Sequence, residues 1–187
     1  MTEPVRILAI CGSLRAGSYN AAALRAIVAL ATEGVEMRTA GIGELPLFNA
    51  DVEAAGLPPA VPALREALGW AEGVLFVSPE YNHSIPGVLK NAIEWGSRGP
   101  GDLFSGKAAA VTGASTGAMG SSRMQAHLRN CAVSLDLLLV NRPEVMIGRA
   151  QDKFDAQGVL TDEPTRVYLG KLVVALRDLA LRLRPNP

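Results

Sequence analysis

A short apolar run, Val5–Cys11, stops at Gly12-Ser13-Leu14-Arg15-Ala16-Gly17-Ser18-Tyr19-Asn20, and an Ala/Leu/Ile-rich segment follows to Thr32. The run is bounded and almost uncharged, as a parallel strand covered on both faces must be. Leu24, Ile27, Val28 and Ala31 then keep the spacing of one helix face. A strand, a donor-rich loop and a helix N-terminus in immediate succession make a cradle for an anion. Unpaired N–H groups and the helix dipole attract it, hydroxyls donate to it, and a guanidinium grips it in two places. The same residues would also suit a plain βα turn with Ser18 as helix N-cap, but the density of donors favours a phosphate.

What the loop lacks narrows the ligand. There is no Gly-Lys-Ser/Thr before the helix, so a Walker loop is excluded, and Gly12, Leu14 and Gly17 do not make the G-x-G-x-x-G dinucleotide fingerprint. Cys11 stands too close to Arg15 for the loop of a cysteine phosphatase. A monophosphate held by hydroxyls and one Arg, without a metal, fits the remainder.

The rest of the chain repeats the alternation. Strands are expected at Val35–Thr39, Val74–Ser78 and Ala108–Thr112, with strand material between Leu137 and Ile147. Helices are expected at Tyr19–Thr32, Pro62–Ala71, Pro86–Gly96, Ser121–Cys131 and Asp162–Arg184. A Gly/Pro-punctuated loop runs from Gly41 to Pro59, and Arg149–Thr161 reads as a polar excursion. Pro62 and Pro86 suit a first helical turn, and Asp162 with Glu163 suits an N-terminus. Repeated βα units imply an α/β fold, a doubly wound five-stranded parallel sheet with helices on both faces. Its ligands lie outside the carboxyl ends of the strands. The 187 residues read as a single domain with room for a substantial core.

Charge and cysteine usage exclude several classes of partner. Lys+Arg and Asp+Glu are both 18, which leaves no basic footprint for nucleic acid. Charges such as Arg25 interrupt every apolar stretch before it could span a membrane. The first strand begins almost at the N-terminus, so no signal peptide is expected. Cys11 and Cys131 are too few for a zinc site or a CxxC pair. A cytoplasmic, reduced protein is expected.

Three loops converge on one rim in this topology: the phosphate loop, Ser78–Pro86 and Gly113–Gly120. The second holds Glu80, Tyr81, Asn82 and His83 between two prolines, a stiff loop suited to the polar edge of a flat heterocycle. The third is nearly free of side chains, so a planar ring could lie against its backbone.

The segments GSLRAGSYN, LPLFNADVE at Leu45–Glu53 and PEYNHSIPGVLKNAIEW at Pro79–Trp95 resemble, in that order, the NADPH-dependent FMN reductases. That flavodoxin-like family includes bacterial quinone, azo and chromate reductases, and the resemblance runs from Val5 to Ile147. It implies FMN as resident cofactor, with NADPH or NADH as hydride donor and small molecules as electron acceptors. It would place the flavin phosphate on Ser13, Arg15, Ser18 and Asn20, with Tyr19 in the same cluster. Pro79, Glu80, Tyr81 and Asn82 would border the isoalloxazine, and Ser115 with Gly117 would flank its other side. It also implies a homodimer or homotetramer with the flavin near the subunit contact. Val88, Leu89, Ile93 and Trp95 add apolar surface that suggests an interface on the Pro86–Gly96 helix. His83 departs from the Gly or Tyr of relatives, and at the mouth it would affect entry or the interface rather than catalysis. No acid/base residue is needed, because the flavin carries the hydride. Glu80 reads as a ring-edge or helix-end contact.

Two rival readings rest on other features. Gly113-Ala114-Ser115-Thr116-Gly117 matches the G-x-S-x-G nucleophile elbow. The one later histidine, His127, lies in the adjoining helix, a poor place for a triad partner. A flavodoxin-like electron carrier shares the fold but typically presents an acidic face, and this chain is charge-balanced.

Overall fold

The computed structural model describes residues 3–31 and 33–184. Thr32, the expected end of the first helix, lies outside the described residues, and that helix spans Tyr19–Ala29 (α1). Strand β1 (Val5–Cys11) pairs in parallel with β2 (Val35–Ala40) on one side and β3 (Gly73–Val77) on the other. Strand β4 (Ala108–Ala114) continues the sheet beyond β3, and all its partners are parallel. With β5 (Leu138–Leu139) beyond β4, the order β2-β1-β3-β4-β5 is that of a doubly wound sheet, as the alternation of elements implies.

Side-chain alternation along β1 divides the core in two. Val5, Ile7 and Ala9 face α1 and the long C-terminal helix α6 (Glu163–Leu183). Leu8 and Ile10 face α3 (Ala60–Trp70), α4 (Gly87–Gly96) and α5 (Ser122–Ser134). Every residue of β3 and β4 is buried, because helices cover both faces there. Small residues in β4 (Ala-Ala-Ala-Val-Thr-Gly-Ala) let the helices approach the sheet closely.

Three local expectations are corrected. The fifth strand is broken in two: β5 (Leu138–Leu139) and β6 (Val145–Ile147) each pair with β4, giving six strands. Pro143 stands between them and has no N–H to give a ladder. The loop Gly41–Pro59 contains a helix, α2 (Ala50–Ala55), started by Asn49, whose side chain accepts from the N–H of Asp51 at 2.9 Å. None of its residues is buried, so no apolar stripe betrays it. Gly113 and Ala114, expected in the third loop, finish strand β4.

The apolar residues of α4 are also reassigned. Leu89, Ile93 and Trp95 are buried in the chain's own core, so they supply no spare interface. Trp95 donates through Nε1 to the carbonyl of Pro46 at 2.7 Å, and its ring meets Phe48 edge-on at 5.0 Å. Asn91 accepts from the N–H of Phe48 (2.8 Å) and donates to the carbonyl of Pro46 (2.9 Å). The segment Leu45–Phe48 is thus clamped by α4.

Gly113 marks the tightest approach at the end of the sheet. A Cβ there would lie 1.9 Å from the carbonyl oxygen of Ser78 and 2.6 Å from Ser121 Oγ. Gly113→Ala should cost about 3 kcal/mol through overpacking. Gly87→Ala, where nothing lies within 4 Å, should be neutral or mildly stabilising. Thermal melts of the two variants check this, and an unshifted Gly113→Ala melt would contradict the packing.

Candidate functional site

The carboxyl ends of β1, β3 and β4 bring the three loops together. The N–H of Gly12 bonds the carbonyl of Val77 (2.9 Å), and that of Ser78 bonds the carbonyl of Thr112 (3.0 Å). Gly12 has no room for a side chain, since a Cβ would meet Ser78 Oγ at 2.2 Å.

In the first loop, Ser18 is the N-cap of α1: its Oγ accepts from the N–H groups of Asn20 (3.2 Å) and Ala21 (3.3 Å). Its hydroxyl hydrogen is left to donate elsewhere. Arg15 is exposed and its guanidinium has no partner among the described residues; the hydroxyl of half-buried Ser13 is likewise unengaged. The backbone N–H groups of Ser13 through Gly17 make no backbone bond among those residues. Free N–H groups, two hydroxyls and an unpaired guanidinium before a helix N-terminus are the donor set a phosphate dianion requires.

Asn20 has a structural role that its place in the loop does not reveal. Its amide donates to the carbonyl of Ala114 at 2.9 Å, and its Oδ1 accepts from the N–H of Ala114 at 2.7 Å. This buried side chain thereby straps the first loop to the end of β4. Tyr19 turns its ring onto Phe154, with centroids 5.7 Å apart.

The second loop contains a tight turn that the residue pattern did not reveal. Tyr81 and Ser84 exchange backbone hydrogen bonds at 3.1 and 2.9 Å around Asn82 and His83, which have φ of 49° and 63°. Two consecutive left-handed residues form a type I′ turn; Asn tolerates this well, and His83 bears the strain. Pro79 is buried, while Tyr81, Asn82 and His83 are exposed at the rim. The signal available was Tyr-Asn-His-Ser itself, Asn being the residue best suited to start such a turn.

Glu80 is a helix-end contact. Its Oε2 accepts from the N–H groups of Arg123 (2.8 Å) and Met124 (3.1 Å), and its Oε1 pairs with the Arg123 guanidinium (3.2 Å). Ser121, the residue before α5, makes no side-chain cap, so a carboxylate from a neighbouring loop fills that role. Burial pushes the Glu80 carboxyl up, but the bonds from Met124 and Arg123 outweigh it and hold the group below the usual carboxylate range.

In the third loop, Ser115 Oγ accepts from the N–H of Gly117 at 3.1 Å. The N–H groups of Ala150 and Arg149 bond back to the carbonyls of Ser115 (3.0 Å) and Gly117 (3.1 Å). The start of the polar excursion therefore belongs to the rim, a connection its composition conceals. The elbow reading fails here. His127 Nδ1 lies 2.9 Å from Ser84 Oγ, so the histidine partners the second loop and not Ser115. Burial also pushes the Cys11 thiol up, away from the lowered range of reactive cysteines. Among the described residues no cluster of His, Cys, Asp and Glu could hold a metal ion.

A parallel doubly wound sheet with a donor-rich loop after β1 and two stiff loops beside it places the chain in the flavodoxin-like α/β class. The family model for NADPH-dependent FMN reductases matches residues 5–152. An NAD(P)H-dependent FMN reductase of Pseudomonas aeruginosa is 49% identical over 184 residues, covering 98% of this chain and 100% of that one. A quinone reductase of Escherichia coli is 38% identical over 187 residues, with 98% and 100% covered. A solved flavoenzyme, the NAD(P)H:(acceptor) oxidoreductase FerB of Paracoccus denitrificans, superposes with a TM-score of 0.86. It shows 34% identity, with 95% of this chain and 98% of that one covered. The chain belongs to the NADPH-dependent FMN reductase family and is an FMN-dependent NAD(P)H oxidoreductase.

Glu80→Gln tests the helix-end role through pH. A carboxyl held low in the folded state contributes stability that is present above its unfolded pKa of about 4.3 and lost as pH falls through the lower folded value. The wild type should therefore unfold at higher urea than Glu80→Gln at pH 7, and the gap should close below about pH 4. A gap independent of pH would remove the charge from the explanation.

Proposed function

We propose that the rim holds FMN with its phosphate on Ser13, Arg15, Ser18 and the N–H groups of Ser13–Gly17. The observation that carries this is the unpaired Arg15 guanidinium beside free backbone donors at the start of α1. Pro79, Tyr81, Asn82, Ser115 and Gly117 would border the isoalloxazine, while Glu80 and Asn20 fix the loops from behind. Bound FMN supplies the hydride acceptor and donor, taking from NADPH or NADH and giving to small-molecule electron acceptors of the quinone type. The chain's own task is to grip the phosphate, hold the loops at fixed spacing and leave one ring face open. Azo compounds, chromate and free flavin need the same open face.

We further infer that residues 1–187 form one FMN-binding domain that works in the cytoplasm as a homodimer or homotetramer. No helix among the described residues is long and apolar enough to cross a membrane. Support for self-association comes from the rim rather than from α4. Leu14 (60% exposed), Tyr81 (50%), Met119 (60%) and Leu47 (84%) present apolar surface to solvent, and Leu14 lies against Gly43 of the loop that carries Leu47.

Heat release and chromatography of the bound chromophore should yield FMN, and NAD(P)H oxidation with a quinone should proceed through many turnovers. Finding FAD, or no uptake at micromolar FMN, would overturn the reading. Arg15→Ala should weaken FMN binding by about 1.5–3 kcal/mol, roughly ten- to a hundredfold, with much less effect on turnover at saturating FMN. An unchanged dissociation constant would remove Arg15 from the site. Light scattering at micromolar concentration should report an oligomer; a fully active monomer would contradict that part.

A further inference from the structure

Outside the rim, the middle and far half of α1 forms one wall of a cleft of about 300 Å³. That volume is at the lower end for small-molecule sites. Ala22, Ala26 and Ala29 stand on one face of the helix, spaced three and four residues apart, and Leu160 with Val159 closes the other side. The opposing wall is preformed. Phe154 and Leu160 make a bridge, and Asp155 Oδ1 accepts from the N–H groups of Gln157 (2.9 Å) and Val159 (2.8 Å). Arg166, from α6, is engaged with that wall: it donates to the carbonyl of Leu160 (3.1 Å) and pairs with Glu163 (3.1 Å).

Arg25 differs from Arg166. It lines the cleft and lies over Gly158, where a Cβ would come within 2.9 Å of its Nη2. Gly158 has φ of +75°, so the turn brings backbone close to the guanidinium without a side chain between them. Among the described residues Arg25 has no ion pair or side-chain hydrogen bond, and no carboxylate lines the cleft. An apolar recess with one unneutralised guanidinium complements an apolar body that carries a single negative charge.

We propose that this cleft is a second ligand site that takes a small amphipathic carboxylate from solution. Its apolar body rests on Ala22, Ala26, Ala29 and Leu160, and its carboxylate sits on Arg25. A preformed wall means little ordering accompanies binding. The site shares α1 with the phosphate loop but none of the residues assigned to FMN, so both ligands bind at once. The inference does not depend on the assignment of the rim.

Calorimetry on the FMN-saturated protein tests it with octanoate as probe, and octanol and octylamine as neutral and cationic counterparts. Octanoate should bind one to one with Kd of about 0.1 mM, octanol at least about tenfold more weakly, and octylamine not at all. Arg25→Gln should weaken octanoate about tenfold and leave FMN content and NAD(P)H–quinone turnover unchanged. Ala29→Trp, a filling substitution at an exposed position, should abolish binding without lowering the melting temperature. Absence of saturation up to about 5 mM, equal binding of octanol and octanoate, octanoate binding to either variant as to wild type, or displacement of octanoate by excess FMN would each overturn the proposal.

Discussion

The buried amide of Asn20 is the contact on which the rim depends. It lies on the first turn of α1 and closes two hydrogen bonds with Ala114, 94 residues away, at the last position of β4. Removing it would leave a buried N–H and a buried carbonyl unpaired, a cost of several kcal/mol that no nearby group offsets. The phosphate loop and the third loop are therefore held at one spacing whether or not a ligand is present. Glu80 does the equivalent for the second loop by occupying the open N–H groups of α5. Each loop tip is free to meet a ligand because its base is tied to a different element.

That arrangement explains which features could be read from residues alone. Strand runs such as Val74–Ser78 are visible because burial on both faces leaves no polar position in them, and α1 is visible because one face is apolar. The Ser/Arg loop is visible because unpaired donors need an anion. The straps are not visible in this way. By sequence Asn20 reads as one more phosphate donor, and its bonds to Ala114 appear only once the fold is known. Trp95 reads from its apolar helix as surface for a partner, yet it and Asn91 fasten Leu45–Phe48. Long-range side-chain-to-backbone bonds leave no periodic trace, and neither does a helix such as α2 that buries nothing.

The link between Asn91, Trp95 and Pro46 also gives a physical reason for motifs far apart in sequence to occur together. The segment Leu45–Phe48 has no strand or helix of its own, so its backbone groups need partners from elsewhere. α4 supplies them through one amide and one indole N–H, while the N-terminal end of the same helix continues the turn at Tyr81–Ser84. One helix thus sets the position of the rim at its start and of a neighbouring loop at its end.

Chemically the rim is passive. Glu80 is engaged at a helix end, burial pushes the Cys11 thiol up, and His127 pairs with Ser84 and not with Ser115. With its carboxylate and serine tied into the fold, the rim is built chiefly to position a ligand, the part a protein plays when a redox cofactor carries the chemistry. Selectivity among acceptors must then arise where side chains stay exposed around fixed backbone. Tyr81, Asn82 and His83 on the left-handed turn are such exposed positions. The buried straps fix the spacing of the loops, and the exposed side chains are the part of the rim that can vary without disturbing that spacing.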